Sequence, residues 1–316
     1  MVRKLIIKVL GLLSSYRLPP ASEAESLLLA ELKTAFLAIQ PLPVDPASRT
    51  AEGEWASNVN KIRDQVLDGD PRRFLRWDVV LYTMFPVLRL YTLKELRCLR
   101  ALPDWRAKWR DAVRESVVGY PIRCAFYPRT SSNIIHLAYH LAWFERVSRK
   151  QVEKMDVVVE FGGGYGCLCR LMHRLGFSGK YVILDLPAFS AIQKYYLKAE
   201  GLPVLDLDEF VRAERGVLCV TSVEEVRQAL KNAAPPEKSL FIATWSLSET
   251  PLAVREKIVP ELGRFGNFLV AYQHQFNEID NVGYFEQFQN ARPGLIWNGQ
   301  QIAHMGKNSY LTGYSR

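Results

Sequence analysis

The spacing of apolar positions changes near residue 153. Before it, apolar residues recur every three or four positions, the period of a half-buried helix. This spacing predicts helices over Ala24–Ile39, 55–69, 72–100 and 104–117. Pro41, Pro43 and Pro46, then Gly69-Asp70-Pro71, then Pro103 separate them. A further helix is expected after Arg129-Thr130-Ser131-Ser132, with either serine as its cap and Ile134, Leu137, Ala138 and Leu141 on its buried face. Beyond 153 the apolar residues form short unbroken runs: Asp156–Glu160, Lys180–Asp185, Val217–Thr221, Ser239–Trp245 and Asn267–Gln273. Each gap is long enough for a crossover helix, so the runs read as strands of a mostly parallel sheet covered on both faces. Two weaker strands are expected at Leu295–Ile302 and Ser309–Tyr314. With Gly119-Tyr120-Pro121 as the boundary, the chain divides into a helical N-terminal region, 1–118, and an α/β domain, 119–316.

Composition narrows the class. A chain of 316 residues, 48% hydrophobic, can build a core without disulfide or metal staples. Its five cysteines are scattered and include no CxxC pair, so reduced and mostly buried thiols are expected. The net charge is +8, and residues 72–110 carry ten Lys/Arg against three Asp/Glu. Such an excess suits phosphate, nucleotide-sugar or anionic lipid, although a solvated helix face produces the same count. No RNA-recognition motif or basic low-complexity tail is present, and no nucleic-acid partner is expected.

Arg3 and Lys4 precede an apolar run, Leu5 to Leu13, which Lys8 interrupts. The run is far short of the roughly 20 residues needed to span a bilayer, and no clear cleavage site follows. Residues 1–16 therefore read as an amphipathic helix docked on the body, with peripheral contact to an anionic membrane as the alternative. A cytoplasmic protein is expected, with membrane association as the alternative.

The chemistry is concentrated in Asp156-Val-Val-Val-Glu160-Phe-Gly162-Gly163-Gly164-Tyr165-Gly166. A buried strand ends in an acid, a glycine loop follows, and a helix begins at Cys167. Ligands of such sheets sit beyond the carboxyl ends of the strands. The spacing Glu160-x-Gly162-x-Gly164-x-Gly166 resembles the first motif of class I methyltransferases. A dinucleotide fingerprint, GxGxxG, fits neither frame: Cys167 or Cys169 stands where its last glycine belongs. A second element, Tyr181-Val-Ile-Leu-Asp185, ends in an acid 19 residues after Gly166. Asp185 can accept hydrogen bonds from both hydroxyls of a ribose; its alternative role is to cap the next helix.

Three further stretches carry a family resemblance: Asp185-Leu-Pro187, Gln193-Lys-Tyr195-Tyr196-Leu197 and Ala243-Thr-Trp245-Ser246-Leu247-Ser248-Glu249-Thr-Pro251. They look like the sugar O-methyltransferases of bacterial surface-polysaccharide clusters. Asn281-Val-Gly-Tyr284-Phe285 and Asn308-Ser-Tyr310-Leu311 resemble that family's C-terminal end. The likeness covers residues 120–316 well and the helical region loosely. It implies a Rossmann-like class I methyltransferase sheet, mostly parallel with one antiparallel edge strand, and S-adenosylmethionine as methyl donor.

On that reading Gly162, Gly164 and Gly166 leave space for the methionine and ribose portion of the donor. Glu160 orients the loop or binds the donor ammonium, Asp185 holds the ribose, and Leu186 lies against adenine. Thr221 and Ser222 are candidates for the adenine edge. Trp245 or Tyr165 could offer a ring face to the sulfonium. Arg129, before a helix start, could bind the donor carboxylate. Glu249 is the first candidate for contact with the acceptor hydroxyl and His274 the second, with His136, His140 and His304 weaker. His136, His140 and Trp143 form a stripe that could line a pocket or hold a metal. Glu249, Glu278 and Asp280 could supply oxygen ligands, but no spacing demands a metal and none is expected. The acceptor is expected to be a sugar-containing small molecule or glycan. Alternatives are a phenolic or natural-product acceptor, an RNA-modifying enzyme, and a non-catalytic binding module on the same fold.

Overall fold

The computed structural model describes residues 17–44, 51–87, 90–231 and 234–316, together with Val9, Gly11, Leu12 and Ser15. Residues 1–16, where an amphipathic helix and membrane contact were expected, thus fall almost wholly outside the described residues. Among the described residues no helix is long and apolar enough to cross a membrane.

The chain forms two compact units, and neither is one continuous stretch. The first comprises Met1–Tyr139, Gly164–Leu175 and Ala191–Leu202; the second comprises His140–Gly163, Gly176–Ser190 and Pro203–Arg316.

The first unit is helical. Ser22 caps the helix Glu23–Ala38, its Oγ accepting from the Glu25 N–H at 3.1 Å. Ala51–Asp68 follows and ends at Gly69, where a Cβ would sit 2.6 Å from the Gln65 carbonyl oxygen. The single helix expected over 72–100 is instead three pieces: a 3-10 segment Pro71–Arg76 and helices Asp78–Thr83 and Tyr91–Arg100. Pro86 explains part of the break, because it lacks an N–H and restricts Phe85 before it. The helix expected over 104–117 is also cut short. It runs as a π-helical turn, Trp105–Trp109, into Arg110–Ala112 and stops. Beyond it the backbone is claimed by other partners. The Glu115 N–H donates to the Arg129 carbonyl at 2.9 Å, and Ser116 Oγ accepts from the Val118 N–H at 2.9 Å. The core of this unit includes Phe36, Ile62, Val66, Phe74, Phe85 and Trp109.

The second unit holds the sheet. Its strands are β1 (Val157–Phe161), β2 (Lys180–Leu184), β3 (Gly216–Val220), β4 (Ser239–Thr244), β5 (Asn267–Gln273), β8 (Ile296–Gln301) and β9 (Asn308–Tyr314). A separate two-residue ribbon pairs β6 (Gln275–Phe276) with β7 (Ile279–Asp280). The seven strands lie in the order β3-β2-β1-β4-β5-β9-β8. The pairings among β1 to β5 are all parallel, and β9 runs antiparallel to both β5 and β8. This is the mostly parallel sheet that the apolar runs predict, and the Rossmann-like arrangement with antiparallel pairing at one margin that the resemblance implies. All seven runs became strands within one residue of their expected limits.

Alternation along the strands divides the sheet's faces. Val157, Val159, Val182, Leu184, Leu218, Val220, Phe241, Phe268 and Val270 form one core with Phe210, Ile258, Leu262, Phe285 and Phe288. The alternate residues Val158, Tyr181, Ile183, Leu240, Ile242 and Leu269 are equally buried. A sheet buried on both faces cannot show the in–out polar alternation of a half-exposed one, which is why its strands read as continuous apolar runs.

Candidate functional site at the strand ends

Because β1, β2, β4 and β5 are parallel, their carboxyl ends share one edge of the sheet. The hydrogen-bond ladder continues past each end. The Gly162 N–H donates to the Leu184 carbonyl at 2.9 Å, Asp185 to Val220 at 3.1 Å, and Trp245 to Ala271 at 2.6 Å. The segments beginning at Gly162, Asp185 and Trp245 therefore start in register.

Gly162 has φ +72°, and a Cβ there would stand 2.3 Å from Ser246 Cβ. Ser246 Oγ donates to the Phe161 carbonyl, which ties the turn after β4 to the end of β1. Gly164 and Gly166 also have positive φ, and Cβ atoms on them would meet Met84 and Leu197, respectively. The space beside each of these glycines is thus filled by a protein side chain. Left-handed backbone and close packing of the chain on itself therefore require glycine here, whatever room the turn also leaves for a ligand.

Glu160 is 3% exposed, and its Oε2 accepts from the Tyr181 hydroxyl at 2.8 Å. Burial pushes its pKa up to about 8, against the Tyr181 bond, and nearby Asp185 adds to the rise. At neutral pH this acid is largely protonated. Asp185 is half-buried, and its Oδ1 accepts from the Leu186 N–H at 2.8 Å. Leu186 beside it is 43% exposed. Thr221 and Ser222 are exposed, but both are bound to Glu225. Ser222 caps the helix Val223–Ala229 in a reciprocal box: its Oγ accepts from the Glu225 N–H, and Glu225 accepts from the Ser222 N–H. The Thr221 N–H also donates to Glu225 Oε2, at 3.1 Å.

The turn after β4 begins at Trp245, whose φ of +66° is rare for a bulky residue. Its indole Nε1 donates to Asn308 Oδ1 at 2.7 Å, and its ring lies 5.3 Å from that of His140. The 3-10 segment Ser246–Glu249 follows. Burial pushes the Glu249 carboxyl up to about 7, opposed by a hydrogen bond from the Gln273 side chain. His274, just past β5, has Nε2 2.8 Å from Ser309 Oγ, and its carbonyl accepts from the Asn281 N–H at 3.0 Å.

Other candidates have structural work. In the first unit Tyr165 is 1% exposed, packed against Phe74, Phe85 and Tyr196, with its hydroxyl bound by Asn133 Nδ2 at 2.8 Å. A ring so enclosed presents no face to a ligand. Arg129 is exposed in the first unit. The Ser131 hydroxyl accepts from the Ile134 N–H and caps the helix Ser132–Ser148. The histidine stripe of that helix is divided between partners. His136 Nδ1 lies 2.8 Å from Glu95 Oε1, and His140 Nδ1 is bonded to the Tyr310 hydroxyl. Asp280 caps the helix Asn281–Asn290. Among the described residues no group of three or more His, Cys, Asp or Glu is placed to hold a metal ion. The five cysteines are free thiols, four of them buried.

Sequence reasoning missed Tyr181, Arg255 and Gln273 as parts of this site, and gave Ser246 and Asn281 no role of their own beyond the stretches that resemble the family. Period two on β2 could have placed Tyr181 on the same face as Ile183. Nothing local marks Arg255 or Gln273.

No family model matches the chain, and no curated protein matches it. Solved structures do match in part. The methyltransferase domain of METTL16 aligns with TM-score 0.37 and 13% identity over 56% of this chain and 66% of that one. This chain therefore spans just under two thirds of that domain. Precorrin-6y C5,15-methyltransferase from Geobacter metallireducens aligns with TM-score 0.37 and 14% identity, over 55% of this chain and 86% of that chain. Magnesium protoporphyrin IX methyltransferase from Synechocystis, solved with bound SAM, aligns with TM-score 0.37 and 9% identity, over 57% and 78%.

Proposed function

We propose that the protein is an S-adenosylmethionine-dependent O-methyltransferase acting on a sugar hydroxyl in surface-polysaccharide or glycolipid synthesis. The observation that carries this reading is the shared sheet edge where the Gly162 turn, the Asp185–Leu186 pair and the Glu249 turn begin in register. A half-buried acid beside an exposed leucine suits a purine riboside: the carboxylate accepts from ribose hydroxyls, and the leucine covers an apolar ring face. The sugar acceptor rests on the resemblance of the Asp185, Trp245–Pro251 and Asn281–Phe285 stretches.

S-adenosylmethionine supplies an electrophilic methyl group on a sulfonium. What remains for the chain is to orient the acceptor and remove one proton. We assign that proton to Glu249. A carboxyl titrating at about 7 is deprotonated often enough at neutral pH to accept a proton, and basic enough to hold it. His274 is the second candidate. Glu160, protonated and bonded to Tyr181, serves to fix the loop after β1. Asp185 and Leu186 hold the nucleoside, and the partly exposed Trp245 ring is the candidate for contact with the sulfonium. The division into a helical region, 1–118, and a catalytic domain, 119–316, is part of the same proposal, as is the carboxylate-binding role of Arg129.

Calorimetric titration with S-adenosylmethionine and S-adenosylhomocysteine, beside an Asp185→Ala variant, tests the donor. Micromolar binding that the variant loses supports the reading. Folded wild-type protein that binds neither compound refutes it.

A further inference from the structure

Arg255 lies in the short helix Leu252–Ile258 and is fully buried. A guanidinium out of water is costly unless its donors are used. Here they are used on the turn that carries Glu249. Arg255 Nε donates to the Thr250 carbonyl at 2.8 Å, and Nη2 donates to the Ser248 carbonyl at 2.8 Å. These carbonyls belong to the residues on either side of Glu249. Nη1 donates to Asn281 Oδ1 at 2.8 Å. Asn281 Nδ2 donates in turn to the Ser248 carbonyl at 3.2 Å and to the Gln273 carbonyl at 3.0 Å. Ser248 Oγ donates to Gln273 Oε1 at 3.0 Å, and the Gln273 side chain is also the hydrogen-bond partner of Glu249. The Tyr284 ring lies 4.5 Å from the guanidinium carbon.

We infer that Arg255 is a positioning residue for Glu249: with Asn281 it clamps the peptide on both sides of the carboxyl and fixes it against Gln273. The inference rests on the reading of Glu249 as the proton acceptor. A purely structural strut could be apolar at lower cost. What a guanidinium adds is a rigid planar fork that reaches two carbonyls at a set spacing. Lysine, with one point of charge, cannot hold both carbonyls and the amide in that geometry. The network also accounts for two separated stretches of the sequence. Ser248-Glu249-Thr-Pro251 and Asn281-Val-Gly-Tyr284 are joined through Arg255 and through the direct bond from Asn281 to the Ser248 carbonyl.

The test follows the Glu249 carboxyl by infrared spectroscopy across pH 5–9 in the full chain. Glu249→Gln identifies its band, and thermal melting verifies folding. In Arg255→Lys, Arg255→Met and Asn281→Ala the loosened turn lets the carboxyl reach water. Its transition should then fall by about one unit or more toward the ordinary carboxylate range. A strut that only adds stability would lower the melting temperature and leave the transition in place. An unmoved transition in folded Arg255→Lys and Asn281→Ala overturns the inference, and these two carry the test if Arg255→Met does not fold. Titration with S-adenosylmethionine runs alongside. Its failure would sink the methyltransferase reading, while the infrared result would still judge the clamp.

Discussion

Two turns leave neighbouring parallel strands of the same sheet, and at each stands one carboxyl whose pKa burial raises. After β1 the turn is made by glycine, and Glu160 at the strand end is closed off by Tyr181. After β4 the turn is made by Trp245 in a left-handed conformation and a 3-10 segment, and Glu249 is only partly covered. Burial raises both carboxyls, yet the consequences differ. Glu160 is a protonated brace, whereas Glu249 titrates where a proton acceptor is useful. The first turn is tied down by single bonds from Ser246 and Tyr181. The second is held by a network of Arg255, Asn281 and Gln273.

The sharpest way to break this comparison is to remove each carboxyl in turn. Glu249→Gln should lower kcat for methyl transfer by about 10²-fold or more, the usual cost of losing a general base. Glu160→Gln should change it less than about tenfold. Equal losses would dissolve the distinction. In wild type, activity should rise with pH through about 7 as Glu249 deprotonates, and steady-state rates across pH 5–9 would show it.

The glycine turn comes next. Gly162→Ala places a Cβ 2.3 Å from Ser246 Cβ at φ +72°. The overlap and strain should destabilise by ~3 kcal/mol, seen in denaturant unfolding, with loss of donor binding. A neutral substitution would show that the turn is not as tightly packed as described. Asp185→Ala should weaken S-adenosylmethionine binding by roughly 10- to 100-fold, the worth of one charged hydrogen-bonding group, with a small loss of stability from the bond to the Leu186 N–H.

The two carboxyls also predict a trend in stability. A carboxyl whose pKa is raised by folding holds its proton more tightly when folded than when unfolded. Stability is therefore fully present below the ordinary value of 4.5 and falls as pH rises through about 7 for Glu249 and about 8 for Glu160. At ~1.4 kcal/mol per pH unit for each carboxyl, unfolding free energy should drop by up to about 6 kcal/mol between pH 5 and pH 8, and Glu160→Gln should flatten the slope. Activity and stability thus move in opposite directions with pH. The smallest effect is that of Ser222→Ala, which removes a helix cap and should cost ~1 kcal/mol. If donor affinity also falls, Ser222 contacts the ligand as well as the helix.

The sheet was legible because its strands are buried on both faces, so unbroken apolar runs of five to seven residues have few other uses. The acids at 160 and 185 were legible because a strand end followed by glycine or a helix start is a local pattern. The helices over 72–100 and 104–117 were over-read. Apolar spacing continues through Pro86 and past Val113, but the backbone there finds partners elsewhere, such as the Arg129 carbonyl. Tyr165 looked like a ligand contact in the loop and is instead enclosed by Phe74, Phe85 and Tyr196. None of these rings is within 25 residues of it except in the folded chain.

By itself, then, the sequence determined which segments are strands, where the glycine turn lies, and which acids end β1 and β2. These depend on apolar period and backbone freedom, which neighbouring residues set among themselves. Only the tertiary structure decided that the glycines admit protein side chains, that Glu160 is capped by Tyr181, and that Arg255 reaches both sides of Glu249. Those outcomes depend on which side chains meet in the folded chain and on how far burial excludes water, and neither is written in local spacing.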